Sequence, residues 1–220
     1  MARTQAQPYI RPLRFDWLTP LYDRIIPRVM PEAALKRRLI EQADIRPHDQ
    51  VLDLGTGTAT LAIMIKQAHP DIEVAGVDAD PHALEIAAVK AAAAGVGLRF
   101  ARGFATDLPY EDSSFDRVFS SLMLHHLTAA DKRLAFAEVH RVLRPGGELH
   151  ILDFGQPHNF PAYLVSLVMR HAEQTRENIQ GRLPVMLREA GFVDVEETGR
   201  RMSIVGTLSL YRAVRRPELR

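Results

Sequence analysis

Residues 49–59, reading DQVLDLGTGTA, constrain the fold more than any other stretch, because an apolar strand there runs directly into a glycine-rich turn. Val51, Leu52 and Leu54 give the near-continuous apolar run of a strand covered on both faces, and Gly55 and Gly57 then end it. Leu61, Ile63, Met64 and Ile65 make 60–67 a helix. Strand, tight turn and helix in that order bring backbone N–H groups and the positive end of a helix to one point, which suits an anion or a polar ligand tail. The two glycines let the main chain take positive φ and lie close against a ligand.

A second strand, 72–77, ends in Asp78, 21 residues after Gly57. In doubly wound sheets an acid about 20 residues past the glycines accepts hydrogen bonds from the ribose hydroxyls of a nucleotide. The competing use of Asp78 is to cap the helix that starts at Pro81, a job open equally to Asp80. The dinucleotide fingerprint G-x-G-x-x-G fails here, since Thr60 stands at the close-packing glycine. Asp53 precedes Gly55 by two residues and Ala59 closes the pattern, giving D-x-G-x-G-x-A. This stretch resembles the first motif of the class I methyltransferases that use S-adenosylmethionine. The resemblance implies that the loop holds the methionine end of that cofactor and the acid after the second strand its ribose. The residues carried over are Asp53, Gly55, Thr56, Gly57 and Asp78, with Ala79 beside the last.

A chain of 220 residues suits one α/β domain with a small added lid. No run is long enough to cross a bilayer and the N-terminus lacks a signal-peptide pattern, so a cytoplasmic protein without membrane insertion is expected. With 28 Lys+Arg against 27 Asp+Glu the net charge is +1, which leaves no electrostatic footprint for nucleic acid. The absence of cysteine excludes disulfides, thiolate nucleophiles and Cys-ligated metals; nine histidines without an H-E-x-x-H pattern argue no metal site.

Residues 1–31 are rich in proline and aromatics and read as a broken helical segment that packs on the core or covers the active site. The run TPLYDRIIP is similar to the Y-D segment near the start of the ubiquinone and menaquinone C-methyltransferases, which makes Tyr22 and Asp23 lid residues by resemblance. Packing of Trp17 and Tyr22 onto the domain is the other reading. The expected division is a lid segment, 1–31, and a methyltransferase domain, 32–220. Helices follow at 31–43, 81–94, 131–143 and 183–190, and strands at 98–103, 117–121 and 148–154, the last introduced by a sharp turn at Arg144-Pro145-Gly146-Gly147.

After the third strand, FATDLPY resembles the methyltransferase stretch G-D-A-x-x-L-P-F, whose acid contacts the adenine amino group. Phe104 stands in place of that acid, to stack on adenine or to bury itself, and the Ala105 backbone remains able to meet a ring nitrogen. The fourth strand ends in SSLMLHHL, similar to the family's closing pattern there. The C-terminal ends of parallel strands face the ligand crevice, so Ser120, His125 and His126 belong near the chemistry, one histidine as a general base and the other bonded to backbone, with His125 the preferred base. LRPGGELHILDF resembles the family's fifth-strand motif and puts Asp153 at the crevice, on the substrate side or as a cap. Residues 155–181 fill the place of a substrate-side insertion, whose apolar run 160–170 either roofs a pocket for an apolar substrate or forms a homodimer contact. Strands 192–197 and 203–212 form a closing hairpin.

The expected fold is α/β, a Rossmann-like doubly wound, mostly parallel seven-stranded sheet with an antiparallel edge strand and an N-terminal helical lid. The expected function is transfer of the sulfonium methyl of S-adenosylmethionine to an O, N or C nucleophile of a small molecule, the protein positioning both and supplying at most one base. A non-catalytic S-adenosylmethionine-binding or partner-docking protein is the alternative that Phe104 keeps open. Asp53, Thr60 and the lack of a Tyr-x-x-x-Lys pair count against a nicotinamide-dependent reductase.

Overall fold

The computed structural model describes residues 32–158, 162–163, 175–203 and 206–218. The lid segment with Tyr22 and Asp23, and nearly all of the apolar run 160–170, lie outside the described residues. The first described element is α1 (Glu32–Glu41), followed by β1 (Gln50–Leu54), α2 (Thr60–Ala68), β2 (Glu73–Asp78), α3 (Pro81–Ala93), β3 (Arg99–Arg102) and β4 (Phe115–Ser121). A 3₁₀ turn (Leu124–His126) leads into α4 (Ala129–Val142) and β5 (Leu143–Phe154), and α5 (Arg176–Ile179), α6 (Leu183–Glu189), β6 (Phe192–Ser203) and β7 (Gly206–Arg215) follow among the described residues.

The seven strands lie in the order β3-β2-β1-β4-β5-β7-β6. β1 to β5 pair in parallel, and β7 runs antiparallel between β5 and β6, so the expected closing hairpin supplies the single antiparallel strand. The order reverses between β1 and β4. That is the switch point at which doubly wound sheets open a crevice at their strand C-termini.

Both faces of the sheet are covered, which explains the near-continuous apolar strands. On one face Leu39 of α1 and Leu61 and Ile65 of α2 pack with Phe119 and Leu152; on the other Phe136 and Val139 of α4 and Leu187 of α6 pack with Leu52, Val118 and Phe192. Helix starts are set by side chains. Asp80 caps α3, its carboxylate accepting from the His82 N–H at 2.9 Å, with Pro81 at the first helical position. Thr128 caps α4, accepting from the Asp131 N–H at 3.2 Å and donating to the Asp131 carboxylate at 2.8 Å, so this helix starts two residues before its apolar periodicity suggests.

The largest departures from the expected boundaries are in β5 and in the closing hairpin. The Arg144-Pro145-Gly146-Gly147 segment is not a separate turn but a bulge inside β5: Leu143 pairs with Phe115 and Glu148 with Arg117. A side chain on Gly147 would put its Cβ 2.9 Å from the Arg144 carbonyl and 3.0 Å from that of Asp116. β6 runs on to Ser203 and β7 begins at Gly206, because the polar, exposed residues around Arg200 and Arg201 still pair along an edge strand whose outer side needs no apolar cover. Both obstructing atoms at Gly147 belong to the backbone, so Gly147→Ala is expected to lower stability by roughly 1–3 kcal/mol in urea denaturation. An unchanged midpoint would contradict the tightness of this bulge.

Candidate active site

The turn after β1 is held from three directions. Gly55 and Gly57 both take positive φ, 69° and 52°, and Ala59, fully buried, takes the left-handed conformation at φ 60°. The Gly55 and Thr56 N–H groups donate to the Val77 carbonyl at 2.9 and 3.0 Å, stitching the turn to the end of β2. Gly57 N–H donates to Asp78 Oδ2 at 2.8 Å, and Asp80 N–H to Asp78 Oδ1 at 3.0 Å. Asp78 therefore spans the loop and the start of α3, while the capping job falls to Asp80. Lys90, reaching back from α3, donates to the Thr58 and Thr60 hydroxyls at 2.9 and 2.8 Å.

Beneath the turn lies Asp53, 2% exposed. Its Oδ2 accepts from the Thr56 hydroxyl at 2.8 Å, and its carboxyl also accepts from the Ala62 N–H in the first turn of α2. The anion expected at this helix N-terminus is thus supplied by the chain itself. Burial pushes Asp53 up from 3.8 to about 6, against the Thr56 bond, the Lys36 charge and the Ala62 bond. Gly76 in β2 makes room for Thr56: a Cβ there would fall 2.9 Å from both the Thr56 Cγ2 and Oγ1 atoms.

A cavity of about 240 Å³ opens over the turn, lined by Asp53, Gly55, Thr56 and Gly57 among the expected residues, together with Glu32, Lys36 and Ser121. A Cβ on Gly57 would meet nothing within 4 Å, so the loop presents bare backbone to open space. One on Gly55 would strike Met123 Cγ at 2.3 Å, so that glycine serves packing. Of the two serines ending β4, Ser121 lines the cavity and Ser120 is buried at 1% exposure. Ala79 and Ala105 are half-buried. Phe104 is 47% exposed, which rules out the reading in which it simply buries itself.

The second cluster stands at the C-terminal ends of β4 and β5. Asp153 is fully buried, and its Oδ1 meets His125 Nδ1 at 3.0 Å, the Phe154 N–H at 2.7 Å and Asn178 Nδ2 at 3.1 Å. Its Oδ2 has no hydrogen-bond partner among the described residues. Burial pushes this carboxyl up, but the charge and hydrogen bond of His125 outweigh it and hold Asp153 below the usual carboxylate value. It is ionised at neutral pH and can only accept, which assigns the proton to His125 Nδ1 and leaves Nε2 as the basic nitrogen. His126 lies against the His125 ring at 4.0 Å, donates its backbone N–H to Met123 O, and is pushed below the usual histidine value by desolvation and by His125. Lys132 is fully buried, 3.5 Å from Glu177, and its charge adds to the forces holding Asp153 ionised.

Sequence reasoning missed Lys36, Gly76, Lys90, Lys132 and Asn178. Lys36 alone left a signal, being a lysine in the apolar stripe of α1, one turn before Ile40. The others depend on tertiary contacts between elements far apart in the chain.

A switch-point crevice with a glycine cradle and an acid clamping it defines an enzyme of the nucleotide-cofactor class. A methyltransferase domain family matches residues 51–147. The chain is 38% identical over 146 residues to a demethylmenaquinone methyltransferase of Thermus thermophilus, a match covering 65% of each chain. It is 31% identical over 209 residues to the demethylmenaquinone methyltransferase of Deinococcus radiodurans, covering 91% of this chain and 86% of that one. The YcgJ protein from Bacillus subtilis shares the fold with a TM-score of 0.70 at 21% identity, over 84% of this chain and 100% of that one. The chain belongs to the class I S-adenosylmethionine-dependent methyltransferases, in the group similar to the ubiquinone and menaquinone C-methyltransferases. Its cofactor is S-adenosylmethionine, and the alternatives of a nicotinamide reductase and a non-catalytic binder give way to a methyltransferase.

The Asp53 carboxyl generates a pH prediction. Because its folded value is raised, it stabilises the fold fully below about pH 4 and loses that contribution as pH rises through about 6. The rise from 3.8 to about 6 corresponds to about 3 kcal/mol. Asp53→Asn cannot titrate, so its unfolding free energy relative to wild type should improve by up to about 3 kcal/mol between pH 4 and 7. A difference independent of pH would contradict the burial of this charge.

Proposed function

We propose that the protein methylates a hydroxylated aromatic small molecule of the hydroquinone or phenol type, with His125 as general base and Asp153 as the residue that orients it. The observation that carries this reading is the 3.0 Å His125–Asp153 bond at the crevice ends of β4 and β5. The acceptor class is supported by the demethylmenaquinone methyltransferases among the relatives. Cofactor binding falls to the turn, with Asp78 accepting from the ribose hydroxyls and exchanging its Gly57 and Asp80 bonds for them in part, Ala79 and Ala105 bordering the adenosine, and Phe104 offering a ring face to adenine.

S-adenosylmethionine supplies an electrophilic methyl on a sulfonium. The chain's own residues do the rest. Nε2 of His125 removes the acceptor's hydroxyl proton while Nδ1–H stays bonded to Asp153, whose ionised carboxylate stabilises the resulting imidazolium. The oxyanion raises electron density on its own oxygen and on the ring carbons ortho and para to it. Bound S-adenosylmethionine would supply its methyl to whichever of these atoms lies in line with it, with the methyl–sulfur electron pair remaining on sulfur, and a carbon nucleophile would afterwards lose its ring hydrogen as a proton. Positioning therefore decides between carbon and oxygen products. His126, neutral at pH 7, leaves the base free of a second positive charge.

His125→Ala is expected to lower kcat by roughly 10²- to 10⁴-fold on a panel of hydroquinones and phenols while the affinity for S-adenosylhomocysteine stays unchanged. Product analysis by mass spectrometry and NMR then assigns carbon or oxygen methylation. Turnover retained in His125→Ala would remove the base, and methylation confined to amines would remove the acceptor class.

A further inference from the structure

α1 carries a charge where it should not. Its buried stripe is Leu35, Leu39 and Ile40, and within it Lys36 is only 8% exposed. Taking an ammonium out of water is costly unless it is paired, and an intrahelical pair four residues apart is weak compensation. Yet among the described residues the ion-pair partner of Lys36 is Glu32, at 2.6 Å on the same helix. Both line the cavity over the glycine turn, and Lys36 is the one cation among its described lining residues. Asp53, the other carboxylate there, already accepts from Thr56 and Ala62. A cation and an anion set side by side over a cradle of bare backbone match a ligand that carries an ammonium and a carboxylate on one carbon.

We propose that Lys36 and Glu32 read the amino acid end of S-adenosylmethionine, the Lys36 ammonium binding its carboxylate and the Glu32 carboxylate its ammonium. The inference rests on the cavity being the cofactor site, and it adds the first described helix to that site. On binding, the Lys36–Glu32 contact is exchanged for two contacts to the ligand, so the cation is paired in both states. Selectivity for ligands that keep the amino acid then resides in α1, while the nucleoside is left to β2 and the segment after β3.

Calorimetric titration with S-adenosylhomocysteine and with 5′-methylthioadenosine, which keeps the nucleoside and sulfur but lacks the amino acid, separates these roles. Lys36→Met, which keeps the buried stem, is expected to bind S-adenosylhomocysteine about 10- to 100-fold more weakly, the effect of losing one charge-assisted hydrogen bond, and 5′-methylthioadenosine as wild type does. Lys36→Arg should recover most of the loss. An equal loss for both ligands would overturn the proposal and make Lys36 a mere counter-charge to Asp53, and no loss for either would overturn it as well. Should Lys36→Met fail to fold, Glu32→Gln must show the same contrast between the two ligands. Wild-type protein that binds neither ligand would instead remove the cofactor assignment of the cavity on which the proposal stands.

Discussion

The bond set around Asp53 is the constraint on which the site depends. One buried carboxyl accepts from the Thr56 hydroxyl and from the first turn of α2, so strand, turn and helix converge on a single group. The turn must then pass over it with positive φ at Gly55, Gly57 and Ala59, and it does so hydrogen-bonded to Val77 and Asp78. Gly76 has no side chain because Thr56 occupies that space. These features form one arrangement: change the strand end and the loop loses its floor, change the loop and the helix loses its capping anion. The result is a rigid backbone surface, preorganised before any ligand arrives.

The cluster at the C-terminal ends of β4 and β5 is built on a different balance. There the chain buries Asp153, Asn178 and Lys132 together and keeps the carboxylate ionised by placing His125 beside it. Buried polar groups of this kind are expensive unless satisfied. Among the described residues, Asp153 Oδ2 and Asn178 Oδ1 have no hydrogen-bond partner, a departure from full satisfaction at this cluster. A methyl transfer needs little more from its protein than two reactants in line and one proton acceptor, which is why no conspicuous catalytic constellation marks the chain.

Most of the framework was legible because it rests on local signals. The apolar run of β1, the glycines after it and the spacing to Asp78 named the switch-point turn, and LHHL and LRPGGELHILDF located the ends of β4 and β5. Local signals also misled at Arg144–Gly147, where proline and paired glycines read as a turn but form a bulge, because pairing with β4 resumes beyond them. The partnership of His125 with Asp153, 28 residues apart, is a product of parallel register between β4 and β5 and left no mark in spacing. Lys36 left a mark, its place in the apolar stripe of α1, but an ambiguous one. A lysine on a helix is normally read as solvated, and only burial against the glycine turn shows that this one faces a cavity.

We propose that the turn after β1, clamped by Asp78, is where S-adenosylmethionine is held. Titration calorimetry of wild type and Asp78→Ala with S-adenosylhomocysteine tests it most directly. Wild-type protein is expected to bind, and the variant to bind about 100-fold or more weakly, because it forfeits charged hydrogen bonds to two ribose hydroxyls. Equal affinity in the two proteins would contradict it.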